Sequence, residues 1–154
     1  MIVVRSILHN FIVLAVGLLI GLAGTKLDAL FGIEEFRSTI TMVVGSLLIL
    51  TGFLIRLWAT YYFYKNHMKV ISTIAQGTLL TSGPYRYSRN PLYLGGNVFI
   101  FFGAGLLFGS PVAMAITALH LPFLDLFIRR EERQLEQKFG EGWNRCKRTA
   151  RRWI

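Results

Sequence analysis

Four long apolar runs constrain what this chain can fold into more than any other feature. Residues 7–24 carry no formal charge, and residues 39–64 carry one, Arg56. Residues 92–110 and 111–128 follow, separated by little more than the Gly109-Ser110-Pro111 turn. Each run approaches the roughly 20 residues a helix needs to cross a bilayer. The hydrophobic share of 53% and the charged share of 16% both depart from soluble averages in the same direction. The pattern predicts an all-α integral membrane protein of about four spanning helices, the last two a tight hairpin. All 154 residues form one membrane domain.

The basic residues orient it. With both termini on one side, that side receives Arg5, then Lys65, Lys69, Arg86 and Arg89 from the segment after the second run. It also receives Arg129, Arg130, Arg133, Lys138, Arg145, Lys147, Arg148, Arg151 and Arg152, so that only Lys26, Arg37 and Arg56 of the 17 Lys and Arg lie elsewhere. The positive-inside rule then predicts a multi-pass protein with both termini cytoplasmic, a prokaryotic plasma membrane being the expected setting. The first run is not read as a signal peptide, because no small-x-small cleavage site follows it and further spans come after. A single cysteine, Cys146, excludes an intrachain disulfide and a CxxC metal site. The net charge of +9 sits mostly after the last span, where anionic lipid, not nucleic acid, is the expected partner.

Three features on the cytoplasmic side carry chemical potential. Arg56 lies inside the second span, in "GFLIRLWA". A charge there either faces a polar interior or snorkels to the headgroups beside Trp58, Tyr61, Tyr62 and Tyr64. The connection 65–91 is long for one without regular structure, and such loops are often functional. Its end, "GPYRYSRNPLYLG", places Asn90 as N-cap and Pro91 in the first turn of the third span. Free N–H groups there, beside Arg86 and Arg89, suit an anion, or the arginines contact lipid phosphate. The third feature is "DLFIRREERQLEQKFGEGW", an extension of the fourth helix that runs to Gly140. Asp125, Arg129 and Glu132 share one face, and Asp125 can pair with Arg129. Glu131 or Glu132, turned toward the loop, offers a carboxylate to a cation; otherwise this is a solvated charged helix.

The ordered set "LLTSGPYRYSRNPLYLG" and "EERQLEQKFGEGWNRCKRTARRWI", with "GFLIRLWA" before it, resembles the isoprenylcysteine carboxyl methyltransferase family. It also resembles the wider group of membrane enzymes that includes phospholipid methyltransferases. The likeness covers about two thirds of the chain. It implies S-adenosyl-L-methionine as methyl donor, held without a Rossmann domain. Carried across by position, the cofactor contacts are Gly77, Thr78, Leu79, Leu80, Tyr85, Asn90, Pro91, Leu92, Tyr93 and Glu131. Asn90 stands where the prenylcysteine enzymes have histidine and cannot shuttle protons near neutrality. Cys146 stands at a usual tyrosine. Both departures point away from prenylated-protein substrates.

The expected function is therefore S-adenosylmethionine-dependent methyl transfer to a lipophilic acceptor, a carboxylate, amine or thiol, entering from the bilayer. Catalytic candidates are Tyr93 and Glu132 as base and Arg56 as anchor for an acidic acceptor. No metal is expected. Gly95, Gly96, Gly103 and Gly105 either thin a helix interface for acceptor entry or simply allow close helix packing. Two other classes compete: an NADPH-dependent, sterol-reductase-like membrane enzyme and a non-catalytic scaffold or lipid-binding protein.

Overall fold

The computed structural model describes residues 2–70 and 77–153. Helix α1 (Ile2–Phe31) leads to α2 (Thr39–Lys65). A short 3-10 turn, Gly83–Arg86, precedes α3 (Pro91–Phe108). Then come α4 (Pro111–Phe139) and a short amphipathic α5 (Glu141–Thr149). Four helices, α1 to α4, are long and apolar enough to span a membrane. Their outward residues are large and bare, among them Ile40, Leu119 and Phe123, as expected where lipid is the solvent. The chain is an all-α integral membrane protein.

Local chemistry explains the helix ends. Ser38 caps α2: its Oγ accepts from Thr41 N at 3.2 Å, while Ser38 N donates to Thr41 Oγ1 at 2.9 Å. Gly109 ends α3 in the left-handed region at φ 66°, and Ser110 caps α4 by accepting from Ala113 N at 3.0 Å. Asp28 completes this hairpin from outside, accepting from Val112 N at 3.0 Å, where the positive end of the α4 dipole favours a carboxylate. To supply Asp28, α1 runs to Phe31, one to two turns beyond the apolar run that ends at residue 24.

The centre of α3, Leu94–Ile100, is wound as a π-helix. The two glycines at its start accept the side of α2. A Cβ on Gly95 would come within 2.6 Å of the Gly52 carbonyl oxygen, and one on Gly96 within 2.6 Å of Arg56 Nη1. Further along, a Cβ on Gly103 would lie 2.8 Å from the Gly45 carbonyl oxygen. Gly105 is filled by Met114 in the same way. Of the two readings of these glycines, close packing holds: the glycine faces of α3 are sealed and leave no passage for an acceptor.

Arg56 is an interior residue and does not snorkel. Only 5% exposed, its guanidinium donates to Asn10 Oδ1 at 3.0 Å and to the Leu92 carbonyl at 2.7 Å. Asn10 donates in turn to Ser6 O at 2.7 Å and Thr60 Oγ1 at 2.8 Å, and Ser6 Oγ and Thr60 Oγ1 are hydrogen-bonded. A satisfied polar network thus joins α1, α2 and the first turn of α3, the turn that begins the candidate site.

Candidate active site

The site is assembled from the loop before α3, the far end of α4, and α5 with the tail behind it. The 3-10 turn depends on Gly83, at φ 61°, where a Cβ would overlap the ring of Tyr62. This turn lays the Tyr85 ring against Phe63 with centroids 5.6 Å apart. Pro91 then starts α3 at Asn90, but the Asn90 side chain makes no cap bond. Its Nδ2 donates to the Arg152 carbonyl at 3.1 Å instead, so the expected N-cap contact is replaced by a tether to the tail. Ser88 Oγ donates to the same carbonyl at 3.3 Å, and Arg89 N to Arg151 O at 2.9 Å.

Arg89 is not free to bind an anion. It donates to Glu132 Oε1 from Nε at 3.1 Å and lies 3.0 Å from it at Nη2. Its Nη1 reaches the Lys147 and Ala150 carbonyls at 3.3 and 3.2 Å. The same guanidinium lies 5.6 Å from the centroid of the Trp143 ring, within cation–π range. Glu132 is held on its other oxygen too, by Arg152 Nη2 at 2.7 Å and Nε at 3.2 Å. That hydrogen bond raises the Arg152 guanidinium still further above its ordinary value. With both oxygens engaged by guanidinium groups, Glu132 is placed as a clamp and is poorly placed as a base. Arg129 pairs with Asp125 at 2.6 Å, and Arg152 also approaches Asp125 at 3.5 Å. Arg86 is exposed.

Behind this clamp lies a cavity of about 910 Å³, counted out to its open mouth. That is within the usual range for a small-molecule site. Nine of the ten residues expected from the resemblance to contact a cofactor line it: Thr78, Leu79, Leu80, Tyr85, Asn90, Pro91, Leu92, Tyr93 and Glu131. Gly77 does not, and Arg56 lies beneath the floor, acting on it through the Leu92 carbonyl. Tyr93 and Glu131 meet inside: the phenol donates to Glu131 Oε2 at 2.9 Å, and the Tyr93 ring rests edge-on against Phe127 at 6.1 Å. Glu131 is thus the acid turned inward, and Oε1 makes no hydrogen bond among the described residues.

Two wall residues hold unused polarity. Tyr85 Oη and Trp143 Nε1 are buried without a hydrogen-bond partner among the described residues. Burial pushes the Tyr85 phenol well above its ordinary value, against the opposing pull of Arg56, so it stays a neutral O–H. A buried unpaired donor costs on the order of 1–3 kcal/mol, which a ligand can recover. Phe63, Met68, Trp143 and Cys146 are among the other lining residues, and sequence reasoning missed them as site residues. The tryptophan in "FGEGW", one turn into an amphipathic helix, was the available signal for Trp143.

The fold and this site define a class: a four-span membrane protein whose loop and C-terminal helix close a part-polar cavity at one end of the bundle. A family model described as phospholipid methyltransferase matches residues 40–142, and the chain belongs to that family. It is also 32% identical over 125 residues to the cobalt-zinc-cadmium resistance protein CzcN of Cupriavidus metallidurans, covering 78% of this chain and 54% of that one. The chain therefore spans about half the length of the curated relative it matches. No solved structure matches.

Proposed function

We propose that the cavity binds S-adenosyl-L-methionine and that the protein methylates a lipophilic acceptor reaching it from the bilayer. The observation that carries this reading is the inward Tyr93–Glu131 pair in a cavity that also holds two unpaired buried donors. The residues fit the cofactor's chemistry. Glu131 Oε1 suits its ammonium, Tyr85 Oη and Trp143 Nε1 suit its acceptor atoms, and Phe63, Tyr85 and Tyr93 offer ring faces to a cation. When bound, it supplies an electrophilic methyl group on a sulfonium.

What the chain contributes is alignment and exclusion of water. Leu92 and Tyr93 belong to a turn pinned by Arg56, so the reacting region rests on a fixed backbone. The Arg89–Glu132–Arg152 clamp holds α5 over the opening. Orientation of this kind can supply roughly 7–11 kcal/mol of a displacement barrier. An acceptor that loses a proton, such as an amine, can pass it to Tyr93 Oη while the Tyr93 hydrogen moves to Glu131; a carboxylate acceptor needs no base. Arg56 serves as a positioning residue, not as an anchor for the acceptor. The distribution of basic residues supports both termini, the loop and α5 lying in the cytoplasm.

Calorimetry in detergent tests the reading. S-adenosylmethionine is expected to bind and NADPH not to, and Glu131→Gln is expected to weaken binding about tenfold or more, the loss of one charge-assisted hydrogen bond. Binding of NADPH alone would turn the assignment to a reductase, and binding of neither would leave a scaffold.

A further inference from the structure

Midway along the membrane helices sits a polar pair that the methyl-transfer site does not use. Asn97, in the π-helical centre of α3, faces His120 of α4, with Oδ1 and Nε2 3.0 Å apart. The ring of Phe101 flanks His120 at 6.4 Å. Asn97 lies near the middle of Pro91–Phe108, and His120 near the middle of the apolar part of α4, so the pair is far from either headgroup layer. Both side chains are only half-buried.

Their bonding is incomplete. The Asn97 oxygen can only accept, so His120 Nε2 carries the shared hydrogen, and Nδ1 of a neutral ring is then an acceptor. The Asn97 amide keeps two N–H donors. Neither Asn97 Nδ2 nor His120 Nδ1 has a hydrogen bond among the described residues. Unsatisfied polar groups facing hydrocarbon cost several kcal/mol, and polar residues at this depth usually face a cavity or a partner.

The backbones of α3 and α4 diverge beside the pair. Helix α4 packs closely on α1 and on Phe101–Phe108, and touches Leu94–Ile100 at few points. The two helices are thus tightest near the Gly109-Ser110 hairpin and loosest toward Tyr93. Asn97 and His120 bridge this wedge partway along; Tyr93, Phe127 and Glu131 stand at its wider end. Along α4, His120 precedes Glu131 by three turns, roughly 16 Å, and along α3 Asn97 follows Tyr93 by one turn, roughly 6 Å.

We infer that this wedge is the acceptor's seat and that Asn97 and His120 bind an oxygen function, a hydroxyl above all, on its chain roughly 6–16 Å from the methylated atom. A hydroxyl both accepts from an amide N–H and donates to a ring nitrogen, which matches what the pair leaves unused. A plain hydrocarbon chain satisfies neither. The inference rests on the methyl-transfer reading for the identity of the occupant, but its binding chemistry stands separately.

Two matched pairs of probes test it: 12-hydroxyoctadecanoate against octadecanoate, and 12-hydroxyoctadecylamine against octadecylamine. Their binding to the full chain in detergent is read by native mass spectrometry, with S-adenosylmethionine affinity measured in parallel. The hydroxylated member is expected to bind roughly three- to tenfold more tightly in at least one pair. That preference is expected to vanish in His120→Leu and in Asn97→Leu while cofactor affinity is unchanged. Equal binding of both members of both pairs by the unaltered protein overturns the inference, whatever the variants do, and so does a preference that survives both substitutions. A retained preference without S-adenosylmethionine binding overturns the proposed methyl transfer and leaves the hydroxyl-binding wedge in place.

Discussion

Glu132→Ala is the substitution whose outcome the geometry determines most directly. Glu132 is about a tenth exposed, and its two oxygens hold two guanidinium groups, Arg89 at 10% and Arg152 at 28% side-chain exposure. Removing the carboxylate leaves two cations close together in a poorly hydrated space. Breaking a buried pair from one side costs about 3–5 kcal/mol, and the partial exposure of Arg152 brings this toward the lower end. A loss of about 3 kcal/mol is roughly a hundredfold shift in the equilibrium between docked and undocked tail. The local penalty has an obvious outlet, since the bonds from Arg89 to the Lys147 and Ala150 carbonyls depend on the same guanidinium. Limited trypsin digestion in detergent reads it, because undocking frees Arg145, Lys147, Arg148, Arg151 and Arg152. Cleavage there is expected to accelerate by one to two orders of magnitude in Glu132→Ala, with a smaller effect in Glu132→Gln, while sites between the spans keep their pattern. A tail as protected in Glu132→Ala as in the unaltered chain would refute the clamp. Loss of turnover with full protection would return Glu132 to the role of base.

Tyr93→Phe keeps the ring on Phe127 and deletes the hydrogen bond to Glu131; it should leave S-adenosylmethionine affinity nearly unchanged in calorimetry. Turnover of an amine acceptor should fall roughly 10²-fold or more in the same variant, with a carboxylate acceptor spared. Gly95→Ala forces a Cβ to within 2.6 Å of the Gly52 carbonyl and should cost about 1–3 kcal/mol, seen as a lower Tm in detergent. Gly142→Ala meets nothing within 4 Å in helix α5 and should be neutral or stabilising by up to about 1 kcal/mol in the same assay. Burial raises the Cys146 thiol above its ordinary value, with Arg89 opposing. The folded state therefore holds that proton more tightly than the unfolded one. Its contribution to stability is full below the unfolded thiol's value and is lost as pH rises through the raised folded one. Maleimide labelling should be slow near neutrality, rise at alkaline pH, and become fast in Glu132→Ala.

The membrane architecture was legible in the amino-acid order because bilayer thickness imposes a length on each apolar run, and a run is a local property. Helix α2 falls within a residue of its expected bounds, and α4 runs on to Gly140 as its polar extension predicted. The likeness of "GPYRYSRNPLYLG" and "EERQLEQKFGEGW" to family motifs was legible too, because ordered short motifs survive as text. Which partner each polar group takes was not. Arg56 looks the same in sequence whether it snorkels or bonds Asn10 and Leu92, since the choice depends on a residue forty-six positions away on another helix. Glu131 and Glu132 are neighbours of like chemistry, yet the helical turn between them sends one to Tyr93 inside the cavity and the other to two arginines. Asn90 stands at the N-cap position, yet its side chain goes to the Arg152 carbonyl, which it shares with Ser88 Oγ. The π-helical centre of α3 has no sequence signal beyond its paired glycines, against which Arg56 packs in the fold. Hydrophobic length set the membrane frame one segment at a time, whereas the placement of every charge waited on the folded neighbours that could satisfy it.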